Sequence, residues 1–416
     1  VTLAFEGVLS GDQRWHVEHG DNLTVLRSMP DACVDAIVTD PPAGIGFMGK
    51  EWDDFRRSRN PGDVGRDSVF GRASARGPEI GRRDRNKFVS FLSEILAECY
   101  RVTKPGGRML CWSIPRTMHW TGCAIEDAGW EIENTVAHIF GSGFPKAKSQ
   151  LKPAREDWWL ARKPAKNVLP LNIDACRVGG AGRWPANLVL SHGPNCRQVG
   201  VKQRPGDARR GGGTRPGGFV NTGSLKGAPI PVSKGYAEAD GKETVEDWQC
   251  GEGCPVSELD RLGGHSVTGN RSARSKDAVV AGTAWGTNNH RSTEYPGESG
   301  GAARFFNTFE ADQDDLETAL FVYQAKASRA DRNAGEANNS HPTVKSTPLM
   351  RHLVRLVAKP GSVVLDAFCG SGSTGRGAIL EGCRFIGVER EDTENEPYVT
   401  IARRRIAAAS SKGDVE

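Results

Sequence analysis

Val363-Val364-Leu365-Asp366-Ala367-Phe368 runs directly into Cys369-Gly370-Ser371-Gly372-Ser373-Thr374-Gly375. A short apolar strand that feeds a glycine-rich turn and then a helix suits a nucleotide-like cofactor. Gly370-x-Gly372-x-x-Gly375 matches the dinucleotide fingerprint, in which glycines allow the tight turn, admit the cofactor to the backbone and pack the helix on the strand. A second apolar run, Arg384 to Val388, ends in Glu389. That acid lies roughly 20 residues on, where a ribose-binding carboxylate belongs. A plain strand–turn–helix would share the glycines without needing the acid. The unit also comes late. Fewer than 30 residues follow Glu389, and they read mostly as one helix, Tyr398 to Ala409. A sheet built around this unit is expected to draw its other strands from the N-terminal half. A dehydrogenase needs further strand–helix units after its glycine-rich turn, so that reading is disfavoured.

The N-terminal half supplies a matching segment. Ala36-Ile37-Val38 reads as a buried strand, and Pro41-Pro42 ends it, because proline lacks the N–H that a ladder requires. Asp40 then falls at the carboxyl end of a strand, where open α/β sheets bind ligands. An aspartate that merely caps a loop would look the same. Upstream, Gly20-Asp21-Asn22 opens a helical stretch through Leu23, Leu26 and Met29, which makes Asp21 a second strand-end carboxylate.

Together these segments resemble the amino-group DNA methyltransferases of the permuted β class. That family carries an Asp/Ser-Pro-Pro-aromatic catalytic motif early and a Phe-x-Gly-x-Gly cofactor motif late. A His-Pro-Thr-x-Lys-Pro segment precedes the cofactor motif, and here it reads His341-Pro342-Thr343-Val344-Lys345-Ser346. Phe47-Met48-Gly49-Lys50-Glu51-Trp52-Asp53, Gly182-Arg183-Trp184-Pro185-Ala186-Asn187 and Cys254-Pro255-Val256-Ser257-Glu258-Leu259-Asp260 resemble segments of phage and prophage adenine methylases.

The resemblance implies a Rossmann-like methyltransferase fold with permuted motif order. Its sheet would be mostly parallel, with helices on both faces and an irregular inserted target-recognition region. It implies S-adenosylmethionine as cofactor and methylation of adenine N6 in DNA. Cytosine N4 is the alternative, and Asp40 rather than Ser before Pro-Pro favours adenine. Asp40, Pro41, Pro42 and Ala43 would form the catalytic motif. Phe368, Gly370, Ser371 and Gly372 would lie against the cofactor, with Glu389 on its ribose and Asp21 near its adenine. Thr343 and Lys345 would sit near its methionine end, and Asp40, Asp366 and Cys369 belong to the same contact set. Two positions depart from the pattern. Ser346 replaces a proline. Ala43 stands where the family has an aromatic ring that stacks on the target base, a contact worth roughly 1–3 kcal/mol. Either a nearby ring such as Phe47 or Trp52 substitutes, or activity is weak, or the residue was changed deliberately; a nucleic-acid-binding methyltransferase homologue is the rival reading. RNA or protein methylation remains open on the motif alone.

Composition is consistent with a large enzyme. The chain has 416 residues, enough for one large domain and an appended region. Mean hydropathy is −0.49, and no apolar run approaches the roughly 18–20 residues of a membrane span. A signal peptide is not expected, and ten scattered cysteines suggest thiols in a reducing cytoplasm, bacterial or phage-infected. The net charge of +4 is unevenly spread. Residues 56–87 hold ten Lys/Arg against four Asp/Glu, and residues 201–235 hold seven against one. Both stretches are glycine-rich and read as loops or disordered inserts that could meet phosphates. Double-stranded DNA is the expected partner, no membrane partner is expected, and pairing with a second copy of the chain is left open beside DNA. No nuclease motif is evident, which suggests an orphan modification enzyme of phage type.

Residues 1–175 are expected to form the catalytic half of the methyltransferase domain. Residues 176–305, where strand–helix rhythm fades, are expected to form the target-recognition region. Residues 306–416 are expected to form the cofactor half. Within the middle region, His192-x-x-x-Cys196 and Cys250-x-x-x-Cys254 have the donor types and spacing of a structural zinc site. Ordinary cysteine pairs beside a surface histidine are the alternative.

Overall fold

The computed structural model describes residues 5–46, 53–55, 82–140, 154–166, 169–178, 184–192, 196–205, 213–214, 229–230, 242–252, 254–263, 307–309, 329–335 and 338–411. Phe47, Trp52 and most of the two basic inserts lie outside the described residues. The N-terminal half contains α1 (Glu6–Ser10), β1 (Trp15–His19), α2 (Asn22–Ser28), β2 (Val34–Thr39), α3 (Arg82–Val102), β3 (Thr103–Ser113), α4 (Met118–Asp127), β4 (Glu131–Ile139) and β5 (Arg155–Arg162). The middle contains β6 (Leu188–Ser191), β7 (Arg197–Pro205), β8 (Gly213–Thr214), β9 (Pro229–Ile230), β10 (Lys242–Gln249) and α5 (Pro255–Gly263). The C-terminal part contains β11 (Asn307–Phe309), α6 (Arg329–Arg332), α7 (Thr347–Val357), β12 (Val363–Asp366), α8 (Ser373–Leu380), β13 (Arg384–Glu389) and α9 (Tyr398–Ser410).

One nine-stranded sheet runs in the order β1-β13-β12-β2-β3-β5-β4-β6-β11. Only β5 is antiparallel to its neighbours. The late strands β12 and β13 are inserted between the early strands β1 and β2, as the motif order led us to expect. Asp35 helps set this join. Its carboxylate accepts from Val363 N at 2.8 Å and pairs with Lys104 at 2.6 Å, tying the starts of β12, β2 and β3.

The strands read as apolar runs because both sheet faces are covered. Side chains alternate between two cores. Ile37, Leu365 and Ile386 pack against α2, α3 and α4 through Leu26, Leu92, Leu96 and Ile125. Ala36, Val38, Val364 and Phe385 face the other way, toward α7, α8 and α9 through Leu353, Ile379, Val399 and Ile406. N-terminal helices therefore cover one face and C-terminal helices the other. α3 begins at Arg82, ahead of the apolar pattern that starts at Phe88, because that pattern marks only the turns that reach the sheet. Phe88, Leu92, Ile95, Leu96, Cys99 and Val102 follow the 3.6-residue period and are fully buried.

β6 and β11 join the main sheet although β6 lies inside the segment expected to serve target recognition. Four residues with little periodicity gave no sign of a long-range partner. β7 and β10 form a separate antiparallel ribbon, and β8 pairs with β9. Among the described residues, no helix is long and apolar enough to cross a membrane.

The third glycine of the fingerprint lies in the first turn of α8, where the packing against β13 and α9 leaves no room for a side chain. A Cβ at Gly375 would lie 2.5 Å from Ile406 Cδ1 and 2.6 Å from Phe385 Cε1. Both neighbours are buried, so neither can yield freely. Gly375→Ala should cost about 1–3 kcal/mol of stability, the usual cost of overpacking. Urea unfolding of the variant beside the parent measures this, and an unchanged midpoint would show that α8 can lift off the sheet.

Candidate functional site

The carboxyl ends of β2, β12 and β13 meet along one edge of the sheet. Parallel pairing of β12 with β2 aligns Leu365 with Ile37, which places the next residues of the two strands side by side. Thr39 Oγ1 then donates to Asp366 Oδ1 at 2.7 Å. Asp366 also accepts from Thr374 Oγ1 at 2.6 Å and from Phe368 N at 3.0 Å. It is fully enclosed, and burial pushes its carboxyl up to about 6 against these three stabilising donors. The glycine-rich turn and the Pro-Pro segment are thus joined by one buried carboxylate.

Asp40 follows β2, and buried Pro41 ends the strand there. Lys345 reaches Asp40 from the segment before α7 and donates to its Oδ2. The ammonium is buried and also stands 4.1 Å from the centroid of the Trp112 ring. The expected catalytic carboxylate and the lysine of the His-Pro-Thr segment, 305 residues apart, are therefore in direct contact.

The turn itself is shaped by positive φ at Gly370 (51°) and Gly372 (78°). Gly370 N donates to Glu389 Oε2 at 2.7 Å, and Glu391 N donates to Oε1 at 2.9 Å. Burial raises the Glu389 carboxyl, and these backbone donors oppose the rise. Each oxygen retains lone-pair capacity for a further donor such as a ribose hydroxyl. His341 closes over the turn: a Cβ at Gly370 would lie 2.9 Å from His341 Nε2. Its ring stands edge-on to Tyr398 at 4.5 Å, and its Nδ1 accepts from Thr343 N at 3.3 Å. Cys369 and Ser371 are buried within the turn, and Phe368 is half-buried 6.3 Å from the Phe91 ring. Asp21 lies at the adjoining end of β1, since Gly20 N donates to Glu389 O at 3.0 Å. Its carboxylate caps α2, accepting from Thr24 N at 3.0 Å.

Three residues essential to this geometry were not singled out by sequence. Arg405, on α9, is fully buried and donates to Ser371 O at 2.7 Å, Ser371 Oγ at 3.2 Å and Ser373 Oγ at 3.1 Å. Burial lowers it to about 10. Asp53 accepts from Gly44 N at 2.6 Å and Ile45 N at 3.3 Å, while its own carbonyl accepts from Gly46 N at 2.8 Å. Thr117 Oγ1 donates to Ala43 O at 2.7 Å. Asp53 and Thr117 clamp the loop that carries the Pro-Pro motif. Asp53 ends a segment already conspicuous by resemblance. Arg405 lies in an Arg-Arg-Arg run whose one buried member only packing reveals. Ala43 is half-buried, with its side chain packed against the core cluster that includes Trp112.

Away from this edge, His192, Cys196, Cys250 and Cys254 come together, with their candidate donor atoms all within 4.8 Å of one another. His192 is buried rather than on the surface.

A family model described as DNA methylase (N6_N4_Mtase) matches residues 34–402. A 71-residue stretch is 39% identical to "DNA adenine methyltransferase YhdJ" of Escherichia coli (strain K12), covering 17% of this chain and 23% of that protein. A 68-residue stretch is 41% identical to "Type II methyltransferase M2.DpnII" of Streptococcus pneumoniae, covering 16% of this chain and 24% of that protein. The chain thus spans about a quarter of the length of these curated relatives. Among solved structures, the PvuII DNA methyltransferase (cytosine-N4-specific) aligns with a TM-score of 0.47 at 12% identity, over 94% of this chain and 86% of that one. The M1.HpyAVI–SAM complex aligns with a TM-score of 0.37 at 14% identity, over 94% and 99%. The match over residues 34–402 takes in both the Pro-Pro segment and the glycine-rich turn, and by it the chain belongs to the N6/N4 family of DNA methylases.

Proposed function

We propose that this chain is a β-class, S-adenosylmethionine-dependent DNA methyltransferase that acts on the exocyclic N6 of adenine in double-stranded DNA. The observation that carries the proposal is the contact of Asp40 with Lys345, beside the Thr39–Asp366 bond that ties the two motifs together. The glycine turn suits the cofactor chemically. Gly370 and Gly372 leave it without side chains at its two left-handed positions, and Glu389 stands at the next strand end as a hydroxyl acceptor. Phe368, Cys369, Ser371, Thr343 and Asp21 would surround the same ligand, which supplies a methyl group on a sulfonium centre.

The chain's own residues do the rest. An exocyclic amine is a poor nucleophile because its lone pair is delocalised into the ring. The Asp40 carboxylate and the Pro41 carbonyl accept the two amino hydrogens and localise that lone pair. The carboxylate also stabilises positive charge developing on nitrogen. Transfer would break the S–CH3 bond of the bound cofactor and leave a neutral thioether, and Asp40 would carry one amino proton away from the methylated nitrogen. Lys345 holds the Asp40 side chain in one orientation, and Asp53 with Thr117 holds the loop behind it. Pre-orientation of amine and methyl supplies much of the remaining acceleration. The target base must leave the duplex to reach this edge.

Adenine is favoured by Asp40 before Pro-Pro and by the partial match to a relative named as an adenine methyltransferase. Cytosine N4 is the alternative. Residues 176–305 would read the target sequence, with the basic inserts on phosphates. The setting would be the cytoplasm of a bacterium or a phage-infected cell, as an orphan or restriction-linked modification enzyme. Labelled methyl transfer to unmethylated duplex DNA, followed by nucleoside mass analysis, tests the proposal. N6-methyladenine is the expected product, and N4-methylcytosine would reassign the base. Cofactor binding without transfer would favour a DNA-binding homologue.

Asp40→Ala should lower transfer on the order of 10²-fold or more, since it removes a preorganised charge acceptor. Cofactor affinity, read by calorimetry, should stay within a few fold. An equal loss of cofactor binding would assign Asp40 to the cofactor pocket instead.

Ala43→Tyr should raise the rate at low DNA concentration by about tenfold, within the roughly 1–3 kcal/mol that a stacked base contributes. Cofactor affinity should not change. Slower transfer would mean that another ring already occupies the space. No change would remove Ala43 from the target-base surface.

A further inference from the structure

His192 follows β6, Cys196 precedes β7, Cys250 follows β10 and Cys254 immediately precedes α5. Four separate elements therefore deliver one donor each to a single point. His192, Cys196 and Cys254 are buried, and Cys250 is half-buried. His192 Nδ1 lies 3.4 Å from Cys250 Sγ and 3.6 Å from Cys254 Sγ. A tetrahedral zinc with its usual Zn–S and Zn–N bond lengths would set each N···S edge at about 3.6 Å. The opposite ring atom, His192 Nε2, is buried with no hydrogen-bond partner. Trp248 stacks on the imidazole at 3.9 Å with the planes 16° apart, which fixes the ring direction.

We propose that these four residues bind one structural zinc ion. The donor set of three thiols and one imidazole is soft, as zinc prefers, and four protein ligands leave no open position for catalysis. Binding displaces the three thiol protons to solvent, and the imidazole coordinates in its neutral form. Zn²⁺ with three thiolates then carries a net charge of −1. Oxidation states do not change.

The fold around the cluster shows what the ion does. Its apolar support is small: Leu190, Cys196, Cys254 and Val256 are the buried members, and two of those four are ligands themselves. The β7–β10 ribbon is a two-stranded element with exposed Val199 and Val201, and such ribbons are marginal alone. Zinc would pin that ribbon and α5 to β6, the strand next to the edge of the main sheet. The ribbon's strands bracket the basic stretch between them, so the ion would also anchor the base of that insert. None of this requires the methyl-transfer reading to hold.

Protein purified under reducing conditions without chelator should contain about one zinc per chain by elemental mass spectrometry. After metal removal, addition of cobalt(II) chloride to the full chain should produce intense tetrahedral d–d bands and thiolate-to-cobalt charge transfer. Cys250→Ser should lose the bound zinc, whereas Cys123→Ser, at an exposed thiol outside the cluster, should keep it. Should Cys250→Ser fail to fold, the cobalt spectrum of the parent chain still decides. Absence of both zinc and the cobalt spectrum overturns the proposal. A disulfide between any two of the three cysteines in the reduced preparation overturns it equally.

Discussion

The carboxylate of Asp366 is the joint on which the structure turns. It sits at the end of β12 with no access to water, and an isolated buried charge would cost many kcal/mol. Three donors offset that cost: Thr39 from β2, Thr374 from α8 and its own chain at Phe368. Each belongs to a different part of the site. Satisfying one side chain therefore aligns the Pro-Pro strand, the glycine-rich turn and the first turn of the helix behind it. Once β2 and β12 are held in that register, Asp40 is placed where Lys345 meets it.

The same constraint explains how the two ends of the chain depend on each other. β1 pairs with β13 and β2 with β12, so the sheet cannot close around either half alone. N-terminal helices cover one face and C-terminal helices the other, so each half lacks one layer of its core. Pairings this distant in sequence bring a loop-closure cost before any contact rewards it. Arg405 reinforces the join late in the chain, reaching back from α9 to the backbone and hydroxyls of the glycine-rich turn.

At the far edge the structural problem is the opposite one. β6 and β11 extend the sheet with short strands, and the β7–β10 ribbon adds little apolar surface of its own. Polar and soft side chains gather where a larger core would otherwise be needed. The His192 cluster there and the Asp366 joint between β12 and β2 share a logic. Each brings remote segments to one point through directed contacts, because packing alone does not specify the meeting place.

Much of this was written locally in the sequence. The strand-ending prolines after Asp40, the glycines from Gly370 to Gly375 and the acid at Glu389 each follow from backbone constraints that act within a few residues. The apolar runs of β2, β12 and β13 and the periodicity of α3 likewise reflect burial that any local window shows. Their order along the chain also implied that late strands enter between early ones. What local pattern could not carry was pairing. β6 and β11 join the sheet through ladder bonds to distant partners, and four or three residues hold no record of a partner. Asp53, Thr117 and Arg405 look like ordinary polar residues until burial forces them to take specific hydrogen bonds. The spacing of His192, Cys196, Cys250 and Cys254 named those four donors, but that they meet, like the contact of Lys345 with Asp40, was decided in three dimensions, since long-range register alone brings such side chains within reach.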